Sequence, residues 1–152
     1  MWFKLIKART EHFVIPAEAK YLAQIRDFTT KYAKRNRFSR KEMNELKISI
    51  DEICSNIVRY AYEGIERGDI QVRIQRRKNL IIITIIDTGV EFDPSTIEAP
   101  NLGRHVQERR SGGMGFHLVK KLNDEVLYER VGNQNVITIR KKIGPIVHTT
   151  RA

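Results

Sequence analysis

A single cysteine, Cys54, excludes an internal disulfide and fits a reducing compartment. No apolar run approaches the roughly 20 residues needed to span a bilayer as a helix. The opening stretch, MWFKLIKARTEH, holds neither an extended apolar core nor a small-residue cleavage site, so it does not read as a secretory signal, and a cytoplasmic location is expected. Prolines are few, four in 152 residues, which leaves room for long regular elements. No segment is repeated and no linker divides the chain. At this length one domain is expected, spanning residues 1–142, with 143–152 as a loose C-terminal tail.

Charge of one sign is scarce only locally. The net charge is +10, but residues 1–50 carry 12 Lys and Arg against 5 acids, residues 51–100 carry 6 against 9, and residues 101–152 carry 10 against 4. An acidic middle between basic flanks suggests a site in the middle and a basic exterior. Such an exterior attracts acidic partners, nucleic acid or nucleotide phosphate, and a generally solvated basic surface accounts for it equally well. The tyrosines and phenylalanines form no stacking-platform pattern, so direct nucleic-acid binding is not expected.

The opening segment WFKLIKARTEHFVI is rich in strand formers and predicts one or two strands. After Pro16, Leu22, Ile25, Phe28 and Tyr32 recur at helical spacing. Ser39 and Glu42 form a capping-box pattern that opens a second helix, with Leu46, Ile50, Ile53, Ile57 and Ala61 on one face and an end near Gly64 or Gly68. DIQVRIQRR alternates with period two, and Lys78-Asn79 turns it into LIIITIID, a strand that looks fully buried. Residues 94–111 lack periodicity, and a loop that long is usually functional or disordered. A glycine-led helix (GGMGFHLVKKLND) and a closing hairpin about Gly132-Asn133 complete an α+β order, with helices layered on one face of a mixed or antiparallel sheet. The clusters Arg76-Arg77-Lys78 and Arg140-Lys141-Lys142 read as solvated edges.

Three motifs have chemical potential. Asp87 ends the apolar strand, and a buried carboxylate must be paired or hydrogen-bonded. It is able to accept from the exocyclic amine of a base, while Gly89 lets a flat ring approach the backbone. Taken alone, the motif is more often a plain strand end turning into solvent. Glu52 and Asn56 lie one turn apart on the second helix, a spacing suited to polarising a nucleophile and holding a hard cation, and equally suited to a solvated face. The glycines of RRSGGMGF precede a helix, where backbone N–H groups approach phosphate, although glycine-led helix starts are common. The four histidines show no metal-ligand spacing, Ser55 and Ser111 have no evident histidine-acid partners, and Cys54 lies among core residues.

In order along the chain, FSRKEMNELKISIDEICSNIVRYAY (38–62), IIDTGVEFDP (85–94) and SGGMGFHLVKKLNDEV (111–126) resemble the GHKL ATPase superfamily of gyrase, histidine kinases and mismatch-repair ATPases. Within it the chain resembles the stand-alone anti-sigma-factor serine/threonine kinases of bacteria, over roughly residues 10 to 142. The resemblance implies a Bergerat-type ATP-binding sandwich with a mixed, mostly antiparallel sheet. It also implies ATP and Mg2+ as cofactors, with Asn56 as the magnesium ligand and Glu52 as general base toward a serine hydroxyl. Asp87 would bind the adenine amine with Gly89 beneath the ring. Residues 95–111 would form a lid, and Arg110, Gly113 and Gly115 would lie near the phosphates. Asp93 would brace its loop.

The implied substrate is a serine or threonine of a STAS-domain anti-anti-sigma protein. The resemblance further implies a sigma factor competing for an overlapping surface that would include Arg26, a homodimer, and no membrane. Tyr60 stands where relatives often have histidine, and Asn135-Val136 stands where they carry a threonine; both departures point to a change at the phosphate end of the pocket. A non-catalytic, nucleotide-dependent protein-binding regulator is the alternative. The ATP module of a split histidine kinase is disfavoured, because the N-terminal region reads as too short for a helical dimerisation domain with its phospho-accepting histidine.

Overall fold

The computed structural model describes residues 10–94 and 113–144. Strand β1 (Thr10–Pro16) leads through one 3-10 turn into helix α1 (Leu22–Arg35), followed by helix α2 (Arg40–Asn56). A hairpin of β2 (Asp69–Arg77) and β3 (Leu80–Asp87) comes next, then helix α3 (Gly113–Leu122) and a second hairpin of β4 (Glu125–Val131) and β5 (Gln134–Lys142). The sheet runs β1-β2-β3-β5-β4, and every described pairing is antiparallel. The mixed sheet admitted from sequence is therefore not found among the described residues.

The periodicities place the core. Leu22, Ile25 and Tyr32 of α1 and Leu46, Ile50 and Ile53 of α2 are buried, as are Ile57 and Ala61 just beyond α2. Phe28 is half-buried and stacks on Phe13 of β1 at 4.8 Å between ring centroids. The helices meet the sheet face made by Ile15, Ile70, Val72, Ile74, Ile81, Ile83, Ile85, Ile137 and Ile139. The opposite face has no covering layer among the described residues, and Val14, Leu127 and Val131 stand exposed on it. No described helix is long and apolar enough to cross a membrane.

Four expectations need correction. Strand β3 is not buried on both faces: Ile81, Ile83 and Ile85 face the helices, whereas Ile82 and Ile86 are half-buried on the open side. Arg76 and Lys141 are not solvated edges, because each continues the inward phase of its strand. Arg76 lies over the Phe38 ring and donates to the Asn36 carbonyl; Lys141 donates to the Leu122 carbonyl at the end of α3 and pairs with Glu45. The expected loose tail begins docked, since Ile143 is buried and donates its N–H to the Asn79 carbonyl, and the Gly144 N–H donates to Glu42. Residues 145–152, and the expected lid at 95–111 with Arg110, lie outside the described residues.

The capping box is present in full. The Ser39 side chain accepts from the Glu42 N–H, and Glu42 accepts from the Ser39 N–H. We expect Ser39→Ala to cost about 1 kcal/mol. That loss corresponds to a melting point lower by about 2–4 °C at this chain length, checked by thermal denaturation.

Candidate functional site

Helix α2 does not end where its α-helical hydrogen bonds end. Ile57–Ala61 form one π-helical turn, which re-aims the chain beyond Asn56. The Ala61 carbonyl, freed from the regular ladder, accepts the Val90 N–H at 2.7 Å. The backbone at Gly89 passes so near that a Cβ there would lie 2.3 Å from the Ala61 oxygen. Only glycine fits. The Tyr62 hydroxyl adds a second tie, accepting from the Thr88 N–H and donating to the Asp69 carbonyl. The helix bearing Glu52 and Asn56 is thereby fastened to the loop that follows Asp87.

Asp87 ends β3 on its inner face, in phase with Ile81, Ile83 and Ile85, and is 3% exposed. Its Oδ1 accepts from the Gly89 N–H at 2.8 Å and from Asn135 Nδ2 at 2.9 Å. Among the described residues no donor reaches Oδ2, and the side chain lines a cleft with Ile53, Asn56, Ile57, Phe92 and Ile137. Burial pushes the carboxyl above its ordinary value, while Asn135, Gly89 and Arg130 oppose the shift. A carboxylate fixed by one oxygen and open at the other is an aimed acceptor.

The loop is held on both sides. The Gly89 N–H donates to Asp87, the Gly89 carbonyl accepts from Arg130, the Val90 N–H donates to the Ala61 carbonyl, and the Val90 carbonyl accepts from Asn135. All four backbone polar groups of this dipeptide are bonded to the protein.

Part of the candidate set is brought together: Asp87, Gly89 and Asn56 at the cleft, and Glu52 against Gly115. Asn56 lines the cleft with Asp87, and its side chain carries no hydrogen bond among the described residues, so an amide oxygen is available as a hard ligand. Glu52 sits one turn earlier, and its carboxylate lies against Gly115 in the first turns of α3; a Cβ on Gly115 would be 2.0 Å from Oε2. Gly113 is the first residue of α3. Arg26 stands apart on α1, half-exposed, with Nε donating to Asp51 Oδ1 at 2.7 Å. Arg110 lies outside the described residues.

Two members of the site escape sequence reasoning. The π turn has no residue signature that distinguishes it from a continuing helix. Asn135, expected at the phosphate end, instead pairs with Asp87 across the β3–β5 register. The signal available is hairpin counting, which sets residue 135 opposite the strand's last carboxylate.

The model of the histidine kinase-like ATPase domain matches residues 15–141. The chain is 32% identical over 116 residues to "Serine-protein kinase RsbW" of Bacillus mycoides (strain KBAB4), covering 74% of this chain and 72% of that protein. The protein of the same name in Bacillus cereus (strain AH820) is 31% identical over the same shares. Among solved structures, the Acinetobacter baumannii histidine kinase AdeS aligns at 12% identity with a TM-score of 0.48, covering 91% of this chain and 70% of that one.

Asp87→Asn keeps an oxygen for the Gly89 and Asn135 donors while removing the buried charge. Because folding raises this carboxyl above 3.8, its cost is absent below that value and grows as pH rises through the folded value. The variant should therefore gain stability over wild type as pH is raised, and melting curves between pH 3 and 8 should diverge upward, not downward.

Proposed function

The chain belongs to the histidine kinase-like ATPase family, in the branch that holds serine-protein kinases, and from that membership we propose that it is a Mg·ATP-dependent serine/threonine protein kinase acting as an anti-sigma factor. The observation that carries this reading is the cleft itself. It brings together a buried carboxylate with one oxygen hydrogen-bonded and an Asn56 amide that has no partner among the described residues, one helical turn from Glu52.

Each residue has a defined task. Asp87 Oδ2 accepts a hydrogen bond from the 6-amino group of adenine, and the apolar walls Ile53, Ile57 and Ile137 sandwich the ring. Asn56 offers the amide oxygen that would hold magnesium, whose chemistry is to neutralise phosphate charge and which takes few protein ligands beside phosphate oxygens. The start of α3, with Gly113 and Gly115, gives backbone N–H groups and a favourable helix end to phosphate, with Arg110 from the adjoining segment. Glu52 takes the proton of the substrate hydroxyl as its oxygen bonds to the terminal phosphoryl group and the bond to the leaving diphosphate breaks.

The protein substrate in this reading is a serine or threonine of a STAS-domain anti-anti-sigma protein, with a sigma factor as competing partner. Arg26 contacts them. Its pairing with Asp51, the residue before Glu52, supports a partner surface running beside the catalytic helix. A homodimer in the cytoplasm belongs to the same reading, and the exposed Val14, Leu127 and Val131 on the open sheet face support self-association. No contact with nucleic acid or membrane is included.

Calorimetric titration tests the site. ATP should bind wild type with magnesium, and Asn56→Ala should lose most of the magnesium-dependent gain. Glu52→Gln should retain ATP affinity within about twofold while acid-stable phosphate transfer to the partner falls by roughly 10²–10⁴-fold. Undiminished transfer by that variant would remove Glu52 as base. A wild type that binds ATP and a partner but transfers nothing would be a non-catalytic regulator.

A further inference from the structure

Asn135 is 3% exposed and carries five hydrogen bonds. Its Nδ2 donates to Asp87 Oδ1 and to the Val90 carbonyl, both at 2.9 Å. Its Oδ1 accepts from the Tyr128 hydroxyl at 2.6 Å, from Arg130 at 3.1 Å and from the Phe92 N–H at 3.4 Å. Both amide hydrogens and the carbonyl are committed to the protein. The side chain has nothing left to offer a ligand directly, so whatever it contributes to recognition passes through Asp87.

Asp87 lines the cleft, and with two donors on Oδ1 an added proton must sit on Oδ2, the oxygen that no donor among the described residues reaches. Ionisation therefore decides whether the cleft presents an acceptor or a donor. A 6-amino purine needs an acceptor there; a 6-oxo purine needs a donor. We propose that Asn135 is a positioning residue that sets purine selectivity, because its donation to Asp87 Oδ1 keeps the other oxygen an acceptor that matches an amine and repels a carbonyl. This rests on the nucleotide reading above and specifies the ligand of the same site.

The surroundings leave Asp87 as the group that changes charge. Arg130 faces it from β4 as a permanent cation. The Cys54 thiol from α2 is pushed up by burial, with Asp51 and Asp87 adding to the shift. The Tyr128 phenol from β4 is pushed up by burial as well, and Glu91 and Asp93 of the loop add to it. Both stay neutral at physiological pH. Burial raises the Asp87 carboxyl, and the Asn135 and Gly89 donors, with Arg130, hold it down.

The probes are ATP and inosine triphosphate, whose bases differ at position 6 and its neighbouring ring nitrogen. Their dissociation constants are measured with magnesium between pH 6 and 9. Wild type should prefer ATP, by a ratio that varies less with pH than in the variants. In Asn135→Asp the new side chain still accepts from Tyr128, Arg130 and Phe92, but it withdraws the donor and sets a second carboxylate against the first. The second carboxylate disfavours ionisation of Asp87. The ATP preference should fall roughly tenfold or more, and the loss should be larger at the acid end of the range than at the alkaline end. Asn135→Ser, which removes the donor without adding charge, should move it the same way by less.

Carbon-13 NMR of the Asp87 carboxyl, without nucleotide, should show its titration moved upward in both folded variants. An unchanged ATP to inosine triphosphate ratio in both variants, each still binding ATP, would overturn the inference and leave the nucleotide reading intact. A wild type that binds neither nucleotide would overturn both.

Discussion

The cleft exists because two backbones touch. Where the chain passes Ala61 at the end of its π turn and again at Gly89, there is no room for a side chain between them. A regular α-helix would direct the Ala61 carbonyl back into its own ladder; the π turn releases it to the Val90 N–H. From that one contact follow the separation of Asn56 from Asp87, the depth at which Asp87 is buried, and the apolar walls between them. The glycine is consequently explained by protein packing before any ligand is considered.

Charge burial is the second constraint. A carboxylate at 3% exposure would ordinarily be a liability, since desolvation disfavours its ionised form. Here the opposition is local and specific: two N–H donors on one oxygen and a guanidinium nearby. Elsewhere in the α2–α3 layer a buried charge is likewise paired, as with Lys141 under Glu45 and the last carbonyl of α3. The same pairing fixes the far end of α3, so that its near end, at Gly115, rests against Glu52.

Much of this was legible. Regular spacing of Leu46, Ile50, Ile53 and Ile57 located α2 and its buried side, and the Ser39–Glu42 box located its start. The two hairpins were legible from alternation and turn residues. Arg76 and Lys141 were misread because charge was weighed above phase, although both fall on inward positions of their strands. Asp87 was legible as a candidate buried carboxylate beside the plainer reading of a strand end turning into solvent, and what packs above the strand decides for burial. Asn135 was misplaced for a longer-range reason: its partner lies 48 residues away, and only strand register brings the two together.

The dipeptide Gly89-Val90 lies outside any strand or helix, yet its two amide hydrogens and two carbonyls are all engaged. Such a segment has little conformational freedom left to lose when a ligand arrives. Its amides should exchange with solvent on the timescale of core strands and not of loops. At this end of the cleft, then, the floor is already ordered, and a ligand's encounter there is governed by diffusion and desolvation, with no reordering of the floor to slow it.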